Sequence, residues 1–78
     1  MPSREIVVYS APGCIVCDRV KEFLARQGVS FMVKDIVEDE QALAELGRMG
    51  VMSTPVTLID GQVVLGFDRR KIEQLLAV

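Results

Sequence analysis

Ile6-Val7-Val8-Tyr9-Ser10-Ala11-Pro12-Gly13-Cys14-Ile15-Val16-Cys17 is the stretch on which the reading of this chain turns. Ile6 to Tyr9 is a short, β-rich apolar run of the kind that forms a buried strand. Ser10 to Gly13 is turn chemistry. The two cysteines that follow are the only ones in the chain, and they open a helical pattern. A strand running into a helix that begins Cys-x-x-Cys has the construction of a thiol–disulfide exchange site. The helix dipole favours the thiolate of Cys14. Cys17, one turn further on, is placed to attack a mixed disulfide formed at Cys14. Pro12 limits the freedom of the preceding loop, and Gly13 lets a substrate approach closely.

Two other uses of the pair are weaker. A structural zinc site needs four nitrogen or sulfur ligands, and this chain has two cysteines and no histidine. No metal site is expected. A purely structural Cys14–Cys17 bridge would close too short a loop to constrain the unfolded chain much, and it would be unusual as the sole bridge of a small secreted domain.

Composition narrows the remaining classes. Seventy-eight residues, half of them hydrophobic, suit one domain over 1–78 with a thin core and argue against disorder. The net charge is −2, without a basic cluster, so nucleic acid is not an expected partner. Arg69-Arg70-Lys71 is the one basic run and fits the solvated face of a terminal helix. No apolar stretch approaches the ~20 residues of a membrane span. Met1-Pro2-Ser3-Arg4-Glu5 leads straight into the first strand with no secretory pattern. An exchange thiol in that setting suggests a reducing cytoplasm.

Outward from the cysteines, Val16, Val20, Phe23 and Leu24 mark one face of a helix from Cys14 to about Gln27, with Gly28 as its stop. A second strand is expected at about Ser30 to Lys34, carrying Phe31 and Val33, with a loop from Asp35 to Asp39. A second helix runs from Asp39 to Arg48, with Leu43, Leu46 and Met49 inward and an acidic first turn that suits the dipole. Val56 to Ile59 and Gln62 to Leu65 flank Asp60-Gly61, a strong two-residue hairpin signal. Gly66-Phe67 is a turn. Asp68 can cap a last helix that buries Ile72, Leu75 and Leu76. The order β-α-β-α-β-β-α gives an α/β domain: a four-stranded mixed sheet with helices on both faces, parallel in its first half.

Val8-Tyr9-Ser10-x-Pro12-x-Cys14-x-x-Cys17, then Thr54-Pro55-Val56, Asp60-Gly61 and Gly66-Phe67-Asp68 resemble, in order and spacing, the glutaredoxin type of the thioredoxin superfamily. The resemblance covers nearly the whole chain and implies a thioredoxin-like fold. The first strand and helix of thioredoxin are missing, and Gly13 stands where thioredoxin has a tryptophan. Ile15 and Val16 replace the Pro-Tyr usual between glutaredoxin cysteines, and Ala11 replaces a frequent lysine. Of the glutathione-groove pattern Gly-Gly-x-Asp-Asp, only Gly66 and Asp68 remain within Leu65-Gly66-Phe67-Asp68-Arg69. The surroundings of Phe67 are closer to the redoxins that reduce ribonucleotide reductase.

The resemblance implies a protein-disulfide oxidoreductase with Cys14 as nucleophile and Cys17 as resolving thiol. It implies a cis peptide at Pro55 and a backbone at Thr54 that pairs with an extended substrate. Gly66, Phe67 and Asp68 would line the groove, with Asp68 near a substrate amino group, and Ile15 and Val16 would form an apolar rim. Tyr9 is expected in the core with its hydroxyl near the site. No bound cofactor is implied. Glutathione is a candidate co-substrate, with thioredoxin reductase as the other candidate donor. Ribonucleotide reductase is a candidate among disulfide-containing protein partners, and the redoxin itself is expected to be a monomer. The alternative is a module that binds an iron–sulfur cluster between two chains.

Overall fold

A computed structural model describes residues 5–51 and 53–76. The leading segment that bore on targeting, residues 1–4, lies outside them, as does Met52. Seven elements follow one another: β1 (Ile6–Ser10), α1 (Ile15–Arg26), β2 (Met32–Asp35), α2 (Glu40–Arg48), β3 (Val56–Ile59), β4 (Gln62–Leu65) and α3 (Arg69–Leu76). The strands form one sheet in the order β2-β1-β3-β4. β1 and β2 are parallel, with Val8 opposite Val33. β3 is antiparallel to both β1 and β4.

The period-2 alternation of strand side chains divides the core in two. Ile6, Val8, Ile59 and Val64 pack with Val20, Phe23 and Leu24 of α1 and Ile72 of α3. On the other face, Tyr9 and Val56 pack with Ala42 and Leu46 of α2. Each fully buried aliphatic side chain contributes roughly 1.5–3 kcal/mol. The expected mixed sheet with helices on both faces is the observed architecture.

The local signals act where the sequence placed them. Asp39 caps α2, accepting from the N–H groups of Gln41 and Ala42 at 3.0 and 3.2 Å. Asp68 accepts from Lys71 N–H at 3.1 Å, as a cap of α3 should. Asp60 and Gly61 both have positive φ, 49° and 84°, which is the dihedral pattern a two-residue type I′ hairpin requires.

Three details differ from expectation. The buried stripe of α1 runs Cys17, Val20, Phe23, Leu24, while Val16 is exposed. The inward stripe of α2 runs through Ala42 and Leu46, at i and i+4, so Leu43 lies about 100° around the helix and is exposed. The second strand starts two residues late and ends one late, at Met32–Asp35. Val29 and Phe31 are packed against the core before pairing begins.

Candidate active site

β1 and β4 run in one direction and β3 in the other. The end of β1, the start of β3 and the end of β4 therefore meet at one edge of the molecule. Three loops gather there: residues 11–14, 53–55 and 66–68. The Gly66 N–H donates to the Pro55 carbonyl at 3.0 Å and ties two of them together.

Cys14 is the N-cap of α1, with extended backbone at φ −86° and ψ 103°. Its N–H donates to the Ala11 carbonyl at 3.3 Å, closing the turn. That turn needs a left-handed residue, and Gly13 supplies it at φ 76°. A Cβ on Gly13 would meet nothing within 4 Å, so the constraint at this position is backbone conformation. Cys14 and Cys17 form a disulfide, with Cα atoms 5.2 Å apart. Cys14 Sγ also accepts the N–H of Cys17 at 3.1 Å. One of the four unpaired N–H groups at the start of a helix is thus satisfied by sulfur. Cys17 is fully buried and Cys14 is partly exposed. Solvent therefore reaches part of Cys14 and none of Cys17.

Thr54-Pro55 is a cis peptide. The Thr54 hydroxyl lies 3.9 Å from Cys14 Sγ and is oriented to donate to it. The resemblance implies a role for the Thr54 backbone; the hydroxyl on the sulfur is a feature that no local sequence signal marks. Ile15, 71% exposed, and Val16 form the apolar rim. Phe67 is partly exposed and packs edge-on to Phe23, with ring centroids 5.7 Å apart. The Arg69 guanidinium lies 5.5 Å from the centre of the Phe23 ring. Pro12 is exposed beside the pair. Pro12, Gly13, Cys14, Cys17, Thr54, Pro55, Gly66, Phe67 and Asp68 all lie on these three loops or at the adjoining start of α1.

Tyr9 is in the core as expected, and its hydroxyl is engaged by α2. Tyr9 belongs to the α2 face, and its hydroxyl donates to Glu45 Oε1 at 2.9 Å. Lys34 Nζ reaches the same oxygen at 3.0 Å. Burial, then the hydrogen bond to the Glu45 carboxylate, pushes the Tyr9 phenol up to about 12. The Glu45 carboxyl is held below its usual range, first by the Lys34 ammonium and then by the Tyr9 hydroxyl. Asp18 and Lys21, on the cysteine helix, form an exposed pair at 3.2 Å.

A four-stranded sheet of this order, with a bridged Cys-x-x-Cys capping its first helix, defines a thioredoxin-like disulfide protein. Residues 6–64 match the glutaredoxin family model, and the chain belongs to the glutaredoxin family. It is 31% identical over 72 residues to an uncharacterised glutaredoxin-like 8.6 kDa protein in the rubredoxin operon of Clostridium pasteurianum, with 91% of this chain and 96% of that protein covered. Among solved structures, the thioredoxin-like protein BC3987 is 40% identical, with a TM-score of 0.86 over 91% of this chain and 99% of that one. NrdH-redoxin from Escherichia coli shares the fold, with a TM-score of 0.84 at 22% identity over 91% of this chain and 93% of that one. Family and paired cysteines together support thiol–disulfide oxidoreductase chemistry in general. No helix among the described residues is long and apolar enough to cross a membrane.

Proposed function

We propose that this chain is a dithiol electron carrier that reduces disulfides in protein substrates. The observation that carries the reading is the asymmetry of the pair: Cys14 is partly exposed at the helix N-terminus and Cys17 is enclosed beneath it. In the reduced protein the Cys14 thiolate attacks one sulfur of the substrate disulfide. A Cys14–substrate disulfide forms and the other substrate sulfur leaves as a thiolate. Cys17 then attacks Cys14, releases the second substrate thiolate and leaves the Cys14–Cys17 bridge. Two electrons have passed to the substrate. The Cys17 N–H and the helix dipole favour the Cys14 thiolate before attack. The Thr54 hydroxyl supports it from the substrate side, while the Thr54 backbone pairs with the substrate as an added strand. Pro12, Gly13, Pro55, Gly66, Phe67 and Asp68 shape the groove.

The bridge is reset by two electrons, supplied either by two molecules of glutathione, which leave as glutathione disulfide, or by a thioredoxin-reductase-type flavoenzyme. The protein acts as a monomer in the cytoplasm, and ribonucleotide reductase is the first protein substrate to test. Both donors are offered to the oxidised protein in assays coupled to NADPH consumption. Reduction by glutathione with turnover of a glutathione mixed disulfide makes it a glutathione-dependent carrier. Reduction by the flavoenzyme alone makes it a thioredoxin-like one. Cys14→Ser is expected to remove all exchange with either donor, and normal turnover by that variant refutes the reading. Cys17→Ser is expected to accumulate mixed disulfides with protein substrates, visible on non-reducing gels.

A further inference from the structure

A groove of 590 Å³ opens beside the cysteine pair and runs down the outer side of α1. It begins at Ile15, directly after Cys14, and continues past Arg19 and Phe23 to Arg26, with Phe67 and Arg69 forming the opposite wall. At 1.5 Å per residue this length of helix is roughly 16 Å, the span of about five residues of extended chain. Part of its floor is apolar and already assembled, since Phe67 is held edge-on to Phe23 and the Arg69 guanidinium lies over the Phe23 ring.

The charges of the groove are not balanced. Arg19, Arg26 and Arg69 line it against Asp18 and Glu22, an excess of one positive charge on a chain whose net charge is −2. Asp18 is paired with Lys21, Glu22 with Arg26, and Arg69 with Glu73. Arg19 takes part in none of the ion pairs found among the described residues. It is exposed one helical turn beyond Ile15, on the same stripe.

We propose that this groove docks an acidic segment of the redox partner, with an apolar side chain seated between Ile15 and Phe67 and a carboxylate on Arg19. The proposal rests on the disulfide-exchange reading above and adds the chemistry of the partner. The partner's reacting sulfur would sit at Cys14, so the groove reads residues about two to five positions from the partner's cysteine. Arginine suits such a role because its planar fork binds a carboxylate through two hydrogen bonds. An exposed pair of this kind mainly accelerates encounter and selects among partners.

The test uses synthetic peptides with one cysteine capped as a mixed disulfide with 2-mercaptoethanol. The cysteine is flanked at two residues by leucine and at four residues by aspartate in one peptide and lysine in the other. Pre-reduced protein is expected to reduce the aspartate peptide about five-fold faster at low ionic strength, with the difference shrinking as salt screens the charges. Arg19→Glu is expected to abolish or invert the preference, and Arg19→Gln to reduce it. Arg48→Glu makes the same charge change on α2, across the sheet, and is expected to keep the preference. Equal rates for the two peptides in the unaltered protein overturn the proposal. So does a preference that survives Arg19→Glu, or one that Arg48→Glu removes equally, since net charge would then explain it. Failure to reduce either peptide would instead remove the disulfide-exchange reading, and the groove proposal with it.

Discussion

Beneath α1 and α3 the sheet presents Ile6, Val8, Ile59 and Val64 to apolar side chains of the two helices. Beneath α2 it presents Tyr9, whose hydroxyl is held by Glu45, which also holds Lys34 of the edge strand β2. The first face is closed by burial, which is non-directional. The second adds a directional clamp to a smaller apolar cluster. The difference bears on the chemistry. The helix that carries the cysteines is fixed by its apolar underside, so the polar groups at its N-terminus remain available to sulfur. α2, which carries no cysteine, holds the charged clamp.

The comparison predicts a graded response to substitution. Leu24→Ala, in the fully buried stripe of α1, is expected to cost about 2–5 kcal/mol in denaturant unfolding. Leu43→Ala, the same change on the exposed side of α2, is expected to stay within about 0.5 kcal/mol. Equal losses would mean that Leu43 is not on the exposed side of α2.

Thr57 sharpens the contrast. It lies on β3 between Val8 and Val64, is fully buried on the α1 side, and its hydroxyl has no hydrogen-bond partner. A buried unpaired hydroxyl costs roughly 1–3 kcal/mol. Thr57→Val is therefore expected to stabilise the protein, by up to about 1 kcal/mol once repacking is allowed for. A clear loss in thermal unfolding would show that the hydroxyl has a role on that face.

On the α2 side, Tyr9→Phe removes one hydrogen bond and is expected to cost about 1 kcal/mol at neutral pH. The clamp also predicts a pH profile. Folding holds the Tyr9 phenol protonated, so its contribution is complete below about 10 and is lost as pH rises towards about 12. Folding holds Glu45 ionised, so its contribution is complete above 4.5 and is lost as pH falls below that value. Tyr9→Phe should flatten the alkaline limb and Glu45→Gln the acid limb of stability against pH. Unchanged limbs would remove the clamp from the account.

Much of this was legible in the chain itself. Cys14 and Cys17, the Asp60-Gly61 turn and the caps at Asp39 and Asp68 are local signals, each satisfied within a few residues. The parallel pairing of β1 and β2 follows from a strand, a helix and a strand in succession. Other features depend on register between distant segments. Tyr9 meets Lys34 because the two are opposite in the β1–β2 ladder, and no local pattern announces Glu45 across from them. Thr54 reaches Cys14 from 40 residues away. Leu43 misleads because the stripe that α2 buries runs through Ala42 and Leu46, and alanine at 42 is a weaker apolar signal than leucine at 43. The long-range contact was invisible where the local apolar pattern looked sufficient.

The turn at Asp60-Gly61 has a practical consequence. Asp60 exchanges two hydrogen bonds with the backbone of Glu5, its N–H donating to the Glu5 carbonyl and its carboxylate accepting the Glu5 N–H, both at 2.9 Å. This anchored corner lies at the opposite end of β3 from Pro55, and so about 16 Å along the strand from it at ~3.3 Å per residue. The molecule therefore has a handle and a working tip. Attachment to an electrode or a surface through a residue beside that corner, such as Gln62, would leave the disulfide facing outward, uniformly oriented for interfacial voltammetry.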